Sequence, residues 1–149
     1  LGVTYFDRET GCSSITGTMI HEFAHILDGN IAVPIEYDLI TKDGYIGDSY
    51  TSAPNDYLEH GFLSNYARSS PAEDIAVTTA ALVGETPEWW ENTLNSIQSS
   101  EARAQIEKKR DMIISWLKNE FSIDVYKWRD IYQGRLNRLD EIDWDNLED

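Results

Sequence analysis

Two of the three histidines in this 149-residue chain stand four positions apart, in the run His21-Glu22-Phe23-Ala24-His25. Around them Met19, Ile20, Phe23, Ile26 and Leu27 recur at helical spacing, which predicts one helix from about Thr16 to Asp28, stopped by Gly29-Asn30. On a helix, positions i and i+4 project from one face one turn apart, so both imidazoles can grip a single metal ion. Glu22 lies part of a turn round from His21, where it reaches a metal-bound water without being a ligand, as a general base must. A surface helix carrying the same residues by chance is the bland alternative. Against it stand the scarcity of histidine, the placement of the acid and the apolar flanks.

This motif constrains the fold as well as the chemistry. Catalytic zinc takes three protein ligands and keeps one position open, so a third ligand has to be brought back to this helix. One class of zinc enzyme places it six residues beyond the second histidine, but that position here is Ile31. The ligand must come from farther along the chain.

With 41% hydrophobic and 11% aromatic residues the chain is expected to pack as one globular domain spanning 1–149. A formal charge of −15 disfavours nucleic acid and anionic membrane surfaces as partners. The single Cys12 excludes an intramolecular disulfide. No apolar run approaches the length of a membrane span, and no signal peptide is legible. Because the motif arrives only 20 residues after Leu1, further sequence is expected upstream, and any targeting segment with it.

Along the chain, Gly2 to Phe6 reads as a short strand and Asp7 to Ser14 as a polar turn. Residues 30–62 read as mostly loop, with a second strand from Ile31 to Tyr37. Ser70-Pro71-Ala72-Glu73 opens a helix to about Val83, with Ala72, Ile75, Ala76, Thr79, Leu82 and Val83 as its buried face. A short helical segment follows near Glu85 to Trp90, then a long one from Glu101 to Phe121, with apolar residues at 106, 113, 116, 117 and 121. Ser122 is the expected cap of a last helix whose inner side carries Val125, Trp128, Ile131 or Tyr132, Arg135 or Leu136, and Leu139. Residues 140–149 form an acidic tail. The expected fold class is α+β, mainly α-helical, with a small β portion.

The stretch Gly61-Phe62-Leu63-Ser64-Asn65-Tyr66-Ala67-Arg68-Ser69-Ser70-Pro71-Ala72-Glu73-Asp74-Ile75-Ala76 resembles the second signature of gluzincin-type metallopeptidases. More narrowly, it is similar to that of zinc metallohydrolase lipoproteins encoded beside outer-membrane nutrient importers in Bacteroides-like bacteria, which are similar here to anthrax lethal factor. Phe121-Ser122-Ile123-Asp124 resembles that family's entry to its last helix. The resemblance implies a zincin-like catalytic domain, here its C-terminal portion. It makes Glu73 the third zinc ligand beside His21 and His25, and Tyr66 the residue that points at the reacting carbonyl. It also implies a Zn2+ cofactor and a peptide or protein substrate, with importer components as partners and an extracytoplasmic place at the outer membrane or cell surface.

Two departures stand out. Val77 occupies the position where the family commonly has a further acid, and 20 upstream residues are too few for the sheet that usually precedes the active-site helix. Each candidate also has an ordinary reading. Glu73 is the third residue of a capping box, and Tyr66 suits core or surface. His60 is a rival ligand or a solvated loop residue, and Asp28 either orients an imidazole or ends the helix. The paired tryptophans Trp89-Trp90 read as core. The leading expectation is peptide hydrolysis, with Glu22 as base. The alternatives are hydrolysis of a glycopeptide or other amide, and a surface binding module that retains zinc with little turnover.

Overall fold

The computed structural model describes residues 15–139, with side-chain surroundings given for 17–134. The strand expected over Gly2–Phe6 and the tail at 140–149 lie outside them. Six α-helices are present among the described residues: α1 (Ile15–Asn30), α2 (Glu36–Ile40), α3 (Pro71–Gly84), α4 (Pro87–Ser96), α5 (Ser100–Phe121) and α6 (Val125–Leu139). Between α2 and α3 the chain runs through four 3-10 turns, at Lys42–Gly44, Gly47–Ser52, Tyr57–His60 and Tyr66–Ser69.

The central element is α3, which packs against α1, α5 and α6. Its inner face permits this because it is built of small side chains: Ala76 and Thr79 are fully buried, and the Thr79 hydroxyl is satisfied within the helix by Ile75 O at 2.8 Å. Ile75, Leu82 and Val83 continue the face into a core shared with Ile20 and Leu27 of α1, Ile106, Ile113 and Leu117 of α5, and Val125 of α6. Burial of this kind contributes about 25 cal/mol per Å² of apolar surface. Ala72, expected on the same face, is exposed instead.

No strand occurs among the described residues, and the one expected from Ile31 to Tyr37 is corrected by the geometry there. Ile31 and Ile35 are 41% and 65% exposed, so the alternation marks no buried face. Pro34 and Ile35 instead offer their carbonyls to the N–H groups of Tyr37 (2.9 Å) and Asp38 (3.1 Å), starting α2. Helical turning carries the Tyr37 ring into the core, where its hydroxyl meets Thr78 Oγ1 at 3.0 Å.

The entry to the last helix also differs. Ser122 has left-handed backbone (φ 57°) and closes α5, with its N–H directed to Leu117 and Lys118 carbonyls. Asp124 caps α6, its Oδ1 accepting from the N–H groups of Tyr126 (3.1 Å) and Lys127 (3.2 Å). Of the two alternatives on the inner side, Tyr132 packs against the core and Ile131 is 50% exposed.

The loop region is fastened to α5. Glu59 accepts from Gln98 N–H and Ser99 N–H, both at 2.9 Å, while Gln105 Nε2 reaches Ile40 O at 3.2 Å and Trp116 Nε1 reaches Ile31 O at 3.0 Å. These ties hold the chain that links α1 to α3, and so the relative placement of the two helices that carry the motifs.

Candidate metal centre

His21 and His25 both lie in α1, as the four-residue spacing requires, and α3 meets them with its first turn. Pro71 sits at the first helical position and Ser70 caps the helix, its Oγ accepting from the Glu73 N–H at 3.3 Å. A complete capping box would send the Glu73 carboxylate back to the cap. It turns instead to α1: Glu73 Oε2 is 3.0 Å from His21 Nε2 and 3.4 Å from His25 Nε2.

The two imidazole nitrogens are 3.2 Å from each other, so three donor atoms, two nitrogens and one oxygen, face one point. With zinc-to-ligand bonds of about 2.0–2.1 Å, the edge of a ligand tetrahedron is about 3.3–3.4 Å. The separations of 3.0, 3.2 and 3.4 Å come close to those edges. Their chemistry fits as well, since imidazole nitrogen and carboxylate oxygen are ordinary zinc donors. His21 is buried, and its Nδ1 has no hydrogen-bond partner.

Tyr66 lies over this cluster, its ring stacked on His21 with centroids 5.9 Å apart and 30° between planes. Tyr50 packs edge-on against it at 5.3 Å. The Tyr66 phenol is pushed up to about 12, first by desolvation and then by its hydrogen bond to the Glu73 carboxylate and that group's charge. It therefore keeps its proton at neutral pH and can donate. Glu22, one residue from His21, is exposed, and its charge is the smallest of the contributions to the upward shift at Tyr66.

Other candidates go elsewhere. Asp28 accepts from Val33 N–H at 2.8 Å, holding the turn out of α1 rather than hydrogen-bonding an imidazole. His60 is paired with Asp56 at 3.3 Å on the loop and is not among the converging donors. Val77 packs against the core. Trp89 and Trp90 stack edge to face at 5.4 Å in α4, away from the cluster.

Sequence reasoning missed the support behind Glu73. Its neighbour Asp74 is fully buried and receives Lys109 of α5, with Nζ to Oδ2 at 2.6 Å, and the Tyr45 hydroxyl at 3.0 Å. Lys109 also donates to Gly61 O at 2.9 Å and lies 3.8 Å from the centre of the Phe62 ring. Burial pushes the Asp74 carboxyl up to about 6 against the pull of Lys109, and burial lowers the Lys109 ammonium. The pair ties α3 to α5 at the residue next to Glu73. A signal was available: Lys109 falls three residues after Ile106 and four before Ile113, inside the apolar stripe of α5.

A family model described as "Putative zinc-binding metallo-peptidase" matches residues 1–126. Among solved structures, the chain is similar to a "putative zinc-binding metallo-peptidase" from Bacteroides caccae. The two share 29% identity and a TM-score of 0.83, covering 99% of this chain and 56% of that one. The chain thus spans little more than half the length of that relative. No curated protein matches it.

Proposed function

From the premise that this chain belongs to the family described as "Putative zinc-binding metallo-peptidase", we propose that it is a zinc-dependent metallohydrolase that cleaves peptide bonds. The observation that carries this reading is the convergence of His21, His25 and Glu73 within one tetrahedral edge length of each other, from two separate helices. These three residues would hold the ion. Zinc bound there supplies Lewis acidity, which polarises a carbonyl and makes water acidic enough to lose a proton near pH 7.

The remaining work falls to the chain's own groups. Glu22, exposed and free of a ligand's role, accepts the proton of the attacking water on its carboxylate and passes it to the leaving amine. The Tyr66 hydroxyl, protonated at neutral pH, donates a hydrogen bond to the oxygen on which negative charge develops. The ring of His21 stacks on that phenol, whose single proton turns from the Glu73 carboxylate to the substrate oxygen. A peptide is the substrate class the family name favours. The resemblance of the Tyr66 to Glu73 stretch extends the proposal to a cell-surface protein acting beside nutrient importers, which fractionation of cells carrying the full-length protein tests.

The decisive experiment combines elemental analysis with a peptide-library assay. One zinc per chain, lost on His21→Ala, His25→Ala or Glu73→Ala in folded protein, together with hydrolysis that Glu22→Gln abolishes while zinc stays bound, is the expected result. Undiminished hydrolysis in Glu22→Gln overturns the mechanism, and absence of zinc after reconstitution overturns the site.

A further inference from the structure

The far end of α3 borders a cavity of about 390 Å³ between α4, α5 and α6. Leu82 lines it, nine residues beyond Glu73 and therefore about 14 Å along the helix axis from the metal centre. None of the metal-centre residues lines it. Its volume is in the range of small-molecule sites.

The wall carries three of the seven arginines in the chain, Arg103 and Arg110 of α5 and Arg129 of α6, with Glu91 as the one carboxylate among them. Among the residues that line the cavity, guanidiniums outnumber carboxylates three to one. Arg103 and Arg110 are seven residues apart, hence on one face of α5. The acids paired with these guanidiniums, Glu107, Asp111 and Asp130, come from the arginines' own helices and are not part of the wall. Two of these pairs are long, at 3.4 Å for Arg103 and 4.0 Å for Arg129, and such helix-surface pairs are weak. An incoming oxyanion competes with these surface pairs, the closest of them Arg110 to Asp111 at 2.9 Å, and with the Asn95 amide oxygen that Arg103 reaches at 3.4 Å.

The rest of the lining is apolar and ring-shaped. Trp90 is 6% exposed and its indole N–H is already used by Ala81 O at 3.2 Å, so it turns hydrocarbon to the cavity. Leu94 is likewise buried, and the Tyr126 ring lies at the rim beneath the Arg129 guanidinium at 5.2 Å. Guanidiniums above an apolar floor match a molecule with an oxyanion at one end and a ring or short chain at the other.

We propose that this cavity is a binding site, separate from the metal centre, for a small organic anion: a carboxylate, sulfate or phosphate carried on an apolar body. The test is titration of the zinc-loaded protein with benzoate, phenyl phosphate and inorganic phosphate, followed by NMR of the tryptophan indole N–H signals, with Trp90→Phe identifying that of Trp90. Saturable displacement of the Trp90 signal is expected with the two aromatic anions and less with inorganic phosphate. Arg110→Gln and Arg129→Gln should each weaken binding about tenfold or more at an unchanged melting temperature. His21→Ala should leave it intact. Binding that survives the Arg110→Gln/Arg129→Gln double variant overturns the proposal. So does no displacement up to about 10 mM, a concentration beyond any specific affinity, or loss of binding in folded His21→Ala, which would locate the anion at the metal centre.

Discussion

Lys109 of α5 and Asp74 of α3 meet at 2.6 Å with both side chains almost wholly removed from solvent, directly behind the turn of α3 that presents Glu73. Removing one member of a buried pair strands the other, which costs about 3–5 kcal/mol, whereas removing both can come close to neutral. Lys109→Met is therefore expected to lower stability by about 3–5 kcal/mol in urea unfolding. The double variant Lys109→Met/Asp74→Asn should lose less than the sum of the two single changes. Additive losses would show that the pair is not coupled.

Zinc held by His21, His25 and Glu73 would join α1 to α3 and so stabilise the fold, because the unfolded chain does not hold the three donors together. At a free zinc concentration about a thousand times the dissociation constant, the gain is about 4 kcal/mol. Chelation should lower the melting temperature and zinc should restore it, while Glu73→Gln blunts the response. An identical melting curve with and without chelator would count against the centre.

Tyr66 is 41% exposed and touches the metal-centre residues only through its ring face and its hydroxyl, so Tyr66→Phe should retain both fold and zinc. Loss of a single oxyanion donor costs roughly 10²–10³ in kcat. Steady-state kinetics should show that fall in kcat with a much smaller change in KM. A change confined to KM would make Tyr66 a substrate contact only.

Glu59 ties the Tyr57–His60 turn to the start of α5 through the backbone N–H groups of Gln98 and Ser99, which hold its carboxyl below the ordinary value of 4.5. A carboxylate with a lower pKa folded than unfolded stabilises the protein above the unfolded value, and this contribution is lost as pH falls through the folded one. Glu59→Gln should therefore melt below the parent at pH 7, with the gap narrowing below 4.5. A gap independent of pH would assign the effect to shape rather than charge.

Gly61 has φ 81°, and a Cβ there would lie 2.5 Å from Gln105 Oε1 and 2.9 Å from the Thr41 methyl. Gly61→Ala combines a left-handed backbone with overpacking and should cost about 1–3 kcal/mol. In Gly29→Ala, a helical position with nothing within 4 Å, thermal unfolding should show a gain of about 0.5–1 kcal/mol. Equal effects at the two sites would remove the distinction.

Much of the helical plan was legible because its signals are local. Apolar residues at helical spacing and the Ser70-Pro71 start place α1 and α3 within a residue or two of their observed bounds, and the four-residue spacing puts His21 and His25 on one face. The same local reasoning misread Ile31–Tyr37, where alternation was present but no sheet partner exists among the described residues to bury one side of it. It also assigned Ser122 to the wrong helix, because a cap is decided by backbone angle and by which N–H groups lie in reach.

What the sequence determined by itself was a pair of imidazoles on one helix face, a carboxylate beside the first of them and a second helix beginning at Ser70. The tertiary structure alone decided where the Glu73 carboxylate points, since a helix cap and a metal ligand have the same local sequence and differ only in which neighbour stands opposite. It also decided the partner of Asp74, 35 residues away in the chain at Lys109, because a buried charge finds its counter-ion through packing, which sequence separation does not encode.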